Sequence, residues 1–158
     1  MILAHDMFAE TNPAFCAVVL AAFCKSYQSL NDQAPTLLLA YPVLPIVMSN
    51  DLTDTFAGTN KSTGMLEWIH RNPQILIGIA KRVNATLPLT TDAIQFGCLI
   101  QLLKVNNDGS ISSTNKSIPK AAIQSSIESN LKKARLIGSW FAGIGSARAV
   151  MEALGVSI

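Results

Sequence analysis

Two long apolar runs dominate the first third of the chain. The first, NPAFCAVVLAAFC, begins with Asn12 and Pro13, which are favoured as the N-cap and the first residue of a helix. Because it is apolar on every side, we expect a helix in the middle of the fold. The second, LLLAYPVLPIVM, predicts a buried helix that starts near Pro35 and is kinked or ended by Pro42 and Pro45. A membrane-spanning helix needs about 20 apolar residues, so neither run is predicted to span a membrane.

Residues 64–113 predict the order of elements found in a winged helix. MLEWIHR indicates a short helix from Gly64 to Arg71, and NPQILIGIAKRVNA indicates a second helix. LPLTTDAIQFGCLIQLLKV indicates a third, capped by Thr90 or Thr91. The Asn-Asp-Gly turn at residues 107–109 then separates two short β-capable runs, which is typical of a hairpin. Three helices followed by a hairpin form a winged-helix-like segment.

After this hairpin the chain predicts one long helix. Apolar residues recur at spacings of three, four or seven, which places them on one buried stripe: Ile123, Ile127, Leu131, Ala134 and Phe141. Gly143 and Gly145 end this helix, and Ser146 can cap a short last one. The whole pattern predicts a mainly α fold over residues 1–158. We expect a compact helical single domain with the winged-helix-like part at its centre and a long C-terminal helix.

The composition indicates a protein with a covered surface. Apolar residues make up 49% of the chain and charged residues 14%, against about 25% charged in an average soluble domain. A small domain has a high surface-to-volume ratio, so some apolar surface is expected to be covered by a partner. The formal net charge of +2 is too small to indicate nucleic acid or a membrane surface by itself.

The chain offers few groups for catalysis or metal binding. Its three cysteines lie in apolar runs without CxxC spacing, which predicts buried thiols with raised pKa and a cytoplasmic location: Cys16, Cys24 and Cys98. No secretory signal is visible at the N-terminus. Glu67 and His70 have a metal-ligand spacing but lack further ligands. Lys61–Ser62 lacks both glycines of a phosphate-binding loop. We therefore predict no enzyme activity, no metal and no cofactor.

DNA binding is the main alternative, since winged helices often bind DNA. The third helix of the segment would contact bases, but it has no Lys or Arg and carries Asp92. Phosphate contacts need basic groups, so this helix is poorly suited to DNA. The basic residues that could form a weak patch lie elsewhere: Lys81, Arg82, Lys132, Lys133 and Arg135. Solvated faces or contacts to an acidic partner are the favoured interpretation of these residues.

Four stretches occur in a distinctive order: NPAFCAVVLAAF, LLLAYPVLPIVM, NKSTGMLEWIHRNPQIL and ARLIGSWFAGIGSARAVMEALGV. Together, over roughly Asn12 to Val156, they resemble the middle component of bacterial three-component ABC systems. The Asn12–Phe15 start, the Ala40–Pro45 segment and the closing GSWFAGIGS with LGV carry most of the resemblance. Pro42 lies where the resemblance leads us to expect a residue other than proline. This difference bears on the local helix geometry more than on the assignment to the family.

The resemblance implies a non-catalytic adaptor in a cytoplasmic hetero-oligomer. One partner in that family is an SMC-like ABC ATPase, and the other is a third component that carries an effector. Such systems act in bacterial defence against phage and plasmids. We hypothesise that Lys132, Lys133 and Arg135 form one partner surface, with Lys81 and Arg82 as further contacts. The winged-helix-like segment forms the other surface or makes weak, indirect DNA contact, and a winged-helix DNA-binding regulator is the alternative function.

Overall fold

A computed structural model describes residues 12–116 and 125–157 of the chain. The mainly α fold is confirmed: the described residues form seven α-helices, three 3-10 helices and one two-stranded sheet. The α-helices are α1 (Pro13–Leu30), α2 (Val43–Val47), α3 (Met65–Arg71), α4 (Ile79–Ala85), α5 (Leu87–Leu99), α6 (Ser125–Ile144) and α7 (Ala147–Leu154). The 3-10 helices are Leu37–Ala40, Asn50–Phe56 and Pro73–Leu76, and the strands are β1 (Leu103–Val105) and β2 (Ile111–Ser113).

Helix α1 is the centre of the fold and begins where the sequence predicts. The Asn12 side chain accepts a hydrogen bond from the Ala14 amide at 2.9 Å, and Pro13 opens the first turn. By length and composition α1 could span a membrane, but 61% of it is buried inside the protein. It packs against α5, α6 and β2. Burial against these elements accounts for a helix that is apolar on all sides.

The LLLAYPVLPIVM stretch is a buried element broken by proline, as predicted. It forms the 3-10 helix Leu37–Ala40 and then α2, with Pro42 at the junction between them. Since proline has no backbone N–H, Pro42 cannot continue the hydrogen bonding of the first helix into the second. Pro45 is buried within α2. The two short helices replace the single kinked helix that the apolar pattern suggested.

Helices α1 and α6 approach each other very closely at Gly138. A Cβ atom at this position would lie 2.5 Å from the backbone oxygen of Phe23. Beside it, the Ser26 hydroxyl lies 2.9 Å from the Ser139 hydroxyl. The predicted buried stripe of α6 is confirmed within the described residues by the burial of Leu131, Ala134 and Phe141, whereas Ile123 lies outside them. Small residues at this crossing therefore let the two longest helices share one core.

Residues 64–113 contain the predicted first and third helices and the hairpin, but the predicted second helix is divided into the 3-10 helix Pro73–Leu76 and α4, with Gly78 at a φ of 78° before α4. A winged helix is not confirmed. β1 and β2 pair antiparallel with Val105 opposite Ile111, and the turn uses Gly109 at a φ of 84°. The hairpin packs on α1, outside the segment, where the Ser113 amide donates to the Gln28 side chain at 2.9 Å. Helix α5 likewise packs chiefly on α1. These elements therefore share the core of the whole protein.

The predicted cap of the third helix is wrong. Helix α5 begins at Leu87, with Pro88 in its first turn, so Thr90 and Thr91 lie inside the helix. Proline is well suited to a first turn because its missing N–H has no helical partner there. Thr91 instead has its hydroxyl 3.0 Å from the hydroxyl of Tyr41. Thr90 is fully buried, and among the described residues its hydroxyl has no hydrogen-bond partner.

Candidate functional site

The three basic residues predicted as one partner surface diverge on α6. Lys132 is exposed, Lys133 is only 9% exposed, and the side chain of Arg135 is 45% exposed. Consecutive helical residues point about 100° apart, so a sequence cluster does not form one face. The Arg135 guanidinium pairs with Glu128 at 3.2 Å. The exposed part of this group is therefore Lys132 and Arg135, and their role in binding a partner stays a prediction.

Lys133 is buried and contacts two residues of the 3-10 helix Asn50–Phe56. Its ammonium donates a hydrogen bond to the Thr53 hydroxyl at 3.1 Å and lies 5.9 Å from the centre of the Phe56 ring. Burial lowers the pKa of Lys133 below its ordinary value because desolvation disfavours the charged form. The long side chain thus connects α6 to the 3-10 helix Asn50–Phe56. It is unavailable for the partner surface that the sequence suggested.

Arg135 lines a cavity of about 250 Å³ at the α1–α6 crossing. Two lysines that the sequence analysis did not assign to a surface, Lys25 and Lys61, line the same cavity. Lys25 is the one charged residue of helix α1. A single charge on an otherwise uncharged helix is the sequence feature that could have identified it. In the fold, Arg135 is therefore grouped with lysines from two other parts of the chain, and not with its sequence neighbours on α6.

The second predicted basic pair, Lys81 and Arg82, lies on α4. Arg82 donates to the Ser49 hydroxyl at 2.6 Å and pairs with Asp51 at 2.9 Å. It lines an open groove of about 360 Å³ whose apolar wall includes Leu44, Pro45, Met48 and Leu89. Lys81 is exposed to solvent. Since Arg82 is already paired with a carboxylate, it offers less free charge than the sequence suggested.

Several large apolar side chains are exposed among the described residues. They are Leu30, Leu66, Leu76, Ile77, Leu87, Leu99 and Val105. Three of them lie close along the chain on elements that pack together, since α3 contacts the 3-10 helix Pro73–Leu76. Leu66 on α3 is 64% exposed and Ile77 is 77% exposed. Exposed apolar side chains on contacting elements are candidates for an interaction surface. We call Leu66, Leu76 and Ile77 the α3 apolar surface.

Two of the groups considered for chemistry, Cys24 and Glu67, are respectively buried and already paired. Burial raises the pKa of the Cys24 thiol to about 12, so the reactive thiolate is strongly disfavoured at neutral pH. Glu67 pairs with Arg71 at 3.1 Å on the surface of α3. Within residues 12–116 and 125–157, no group of three or more His, Cys, Asp or Glu side chains is placed to hold a metal ion.

Comparison with known proteins identifies the family over the whole chain. The family model for ABC-three component (ABC-3C) system Middle Component 3 matches residues 4–158. This confirms the resemblance drawn from the four ordered sequence stretches. No curated protein and no solved structure matches the chain.

Proposed function

The chain belongs to the family of ABC-three component system Middle Component 3, and from this premise we propose that it is a non-catalytic adaptor. In this proposal it links an SMC-like ABC ATPase to the effector-bearing third component of a bacterial system. The complex acts in the cytoplasm against phage and plasmids. The observation that carries the proposal is the match of one family model to essentially the entire chain. A component of a multi-component system is expected to have protein partners.

The exposed apolar side chains support a binding role. The α3 apolar surface places Leu66 and Ile77 in solvent in a chain with only 14% charged residues. Burying such side chains against a partner is favourable by about 25 cal/mol for each Å² of apolar area removed from water. We therefore assign the α3 apolar surface to one partner. The exposed basic residues Lys132, Arg135 and Lys81 are assigned to contacts with acidic groups.

The tight α1–α6 crossing supports a mechanical role for the adaptor. Gly138 and Ser139 hold the two long helices in contact, and the Ser26 hydroxyl donates to the Arg135 carbonyl at 2.6 Å. Packed cores resist continuous deformation, so a rigid helical core transmits displacement from one surface to another. In our proposal, a nucleotide-dependent change in the ATPase passes through this core to the effector.

Co-expression with the two neighbouring gene products tests the proposal. We expect the three chains to be purified as one stoichiometric complex containing an ABC ATPase, with sizing by multi-angle light scattering. Substitution of Leu66→Ser together with Ile77→Ser is expected to reduce recovery of one partner without unfolding the chain. Leu99→Ser is the matched control, because Leu99 is 79% exposed on a different helix.

Two results would contradict the proposal. A chain that is purified alone as a soluble dimer and ignores both neighbours is not an adaptor. Salt-sensitive binding to duplex DNA by that dimer would favour the DNA-binding regulator instead, because counterion release makes such binding depend steeply on salt. Equal loss of assembly in Leu99→Ser would show that the α3 apolar surface has no special role.

A further inference from the structure

Three cationic side chains from separate parts of the fold meet around the cavity at the α1–α6 crossing. Lys25 comes from α1, Lys61 from the loop before α3, and Arg135 from α6. The remaining lining residues are Ala22, Ser26 and Ser29. The cavity is partly open and has a volume of about 250 Å³. This size suits one or two acidic side chains better than a large ligand.

The backbone around this cavity is held in place by hydrogen bonds. The Ser26 hydroxyl donates to the Arg135 carbonyl at 2.6 Å, which fixes α1 against α6. The Trp140 indole donates to the Asn60 carbonyl at 3.0 Å and so fixes the loop next to Lys61. Three cations are therefore presented from anchored elements, which lowers the entropic cost of binding an anion between them.

The positive charge around the cavity is not balanced within the described residues. Neither the Lys25 nor the Lys61 ammonium group forms an ion pair or hydrogen bond with any residue in 12–116 or 125–157. Arg135 pairs with Glu128 at 3.2 Å. The result is an excess of positive charge as large as the formal net charge of +2 of the whole chain. Unbalanced positive charge attracts an incoming anion.

The two serine hydroxyls at the cavity are not available as donors to an anion. The Ser29 hydroxyl donates to the Ser26 carbonyl at 2.6 Å, and the Ser26 hydroxyl is already bonded to Arg135. Both hydroxyl protons are thus used inside the protein. Ammonium and guanidinium groups remain as donors, and these bind carboxylates well as charge-assisted pairs. The same groups can also pair with phosphate oxygens, so a carboxylate is favoured here because the proposed function requires a protein partner.

We propose that the cavity formed by Lys25, Lys61 and Arg135 binds the carboxylates of an acidic segment in a partner subunit. The inference rests on the proposed function, because it requires a protein partner. Nucleic acid is disfavoured as the ligand, since binding to its backbone uses a row of cations along the strand. Here the three cations converge on one small cavity, and α5, the helix that would contact bases, has no Lys or Arg.

Zero-length cross-linking of the purified complex tests the contact directly. A carbodiimide converts a carboxyl group into an O-acylisourea, and the lysine amine then attacks its carbonyl carbon, which forms an amide bond and releases a urea. Only groups in direct contact are joined efficiently. We expect mass spectrometry to find Lys25 or Lys61 linked to Asp or Glu of a partner subunit. Cross-links to the partner at Lys104 alone, on the exposed face of β1, would overturn the proposal.

Charge removal gives an independent measure of affinity. The variant Lys25→Gln, Lys61→Gln, Arg135→Gln is compared with Arg71→Gln, Lys104→Gln, Arg148→Gln, which removes the same charge at exposed positions outside the cavity. We expect the first variant to bind one partner at least about tenfold more weakly by biolayer interferometry, with a reduced salt dependence. The second variant is expected to bind like the wild type, and circular dichroism verifies that both are folded.

The outcomes separate this inference from the proposed function. If the wild type assembles with its partners and the cavity variant binds them equally well, the inference is wrong and the adaptor function stands. If the wild type binds neither partner, both are wrong. A cavity variant that keeps its partners but loses binding to a 20-base-pair DNA duplex would also overturn the inference and would assign the cavity to nucleic acid.

Discussion

The indole nitrogen of Trp140 donates a hydrogen bond at 3.0 Å to the backbone carbonyl of Asn60, 80 residues earlier in the chain. Trp140 also stacks on Phe56, with ring planes 7° apart and centres 6.0 Å apart. Trp68 completes this aromatic group, 5.4 Å from Trp140 between ring centres. The loop before α3 is therefore attached to α6 by one specific hydrogen bond, and aromatic packing joins α6 to the elements on either side of that loop.

Trp140→Phe is expected to lower the free energy of unfolding by about 1–2 kcal/mol, because it removes this hydrogen bond and part of the ring area. Trp68→Phe is the informative comparison. The Trp68 indole donates to the buried Thr55 hydroxyl at 3.0 Å, whereas Asn60 is exposed and its carbonyl can bind water. Trp68→Phe is therefore expected to lower the free energy of unfolding by more, about 2–3 kcal/mol. Urea denaturation measures both values, and the reverse order would contradict the assigned bonds.

Gly138→Ala is expected to destabilise the protein by about 2–3 kcal/mol. The new methyl group would lie 2.5 Å from the Phe23 carbonyl oxygen and 3.1 Å from the Tyr27 amide nitrogen. These are backbone atoms of α1, so they cannot move aside as a flexible side chain would. The two long helices must separate to accept the methyl group. Thermal unfolding monitored by circular dichroism measures the resulting decrease in melting temperature.

Gly143→Ala is the matched control on the same helix. A Cβ atom at Gly143 meets nothing within 4 Å among the described residues. Since alanine favours a helix over glycine by up to about 1 kcal/mol, this variant is expected to be as stable as the wild type or slightly more stable. Equal stability of Gly138→Ala and Gly143→Ala would show that the close α1–α6 approach is not present.

Lys133→Met is expected to leave the free energy of unfolding at pH 7 unchanged or raise it by up to about 1 kcal/mol. Methionine keeps the aliphatic packing and removes a desolvated charge. The pKa of Lys133 is lowered from 10.5 by burial, so the unfolded chain binds this proton more tightly than the folded one. The wild type therefore gains stability as pH rises from the lowered pKa toward 10.5.

The advantage of Lys133→Met should accordingly shrink with rising pH in that window. Lys132→Met, on the exposed neighbour, is the control and is expected to change stability by less than about 0.5 kcal/mol at any pH. Guanidinium denaturation between pH 7 and pH 10.5 measures both variants. A pH-independent loss of stability in Lys133→Met would mean that the bond to Thr53 outweighs desolvation.

Thr90→Val is expected to stabilise the protein by about 1 kcal/mol. The Thr90 hydroxyl is buried without a hydrogen-bond partner in the described part of the chain, and valine has the same shape without the polar atom. Thr91→Val provides the contrast, because its hydroxyl lies 3.0 Å from that of Tyr41. Thr91→Val is expected to lower the free energy of unfolding by about 1 kcal/mol, because this hydrogen bond is removed. Destabilisation of both variants to the same extent in urea would indicate that Thr90 has a partner.

Local features of the fold could be predicted because they depend on neighbouring residues. Asn12 and Pro13 start α1, and the Asn-Asp-Gly turn at 107–109 makes the hairpin. These signals act through the backbone within a few residues. The predicted cap at Thr90 or Thr91 is wrong for the same local reason, since Pro88 competes with these residues as a start signal and the helix begins earlier. The family could also be recognised, because the order of four stretches is a property of the sequence.

The helical class, the buried character of both apolar runs and the main helix and turn positions follow from the amino-acid sequence alone. Which charged side chains face solvent depends on how the helices pack. Lys132 and Lys133 are neighbours in sequence, yet one is exposed and the other contacts Phe56. The cavity between α1 and α6 likewise joins Lys25, Lys61 and Arg135 through contacts between distant segments. The physical reason is that helical periodicity sets the angle between residues on one helix, whereas packing against other helices determines which side of that helix faces water.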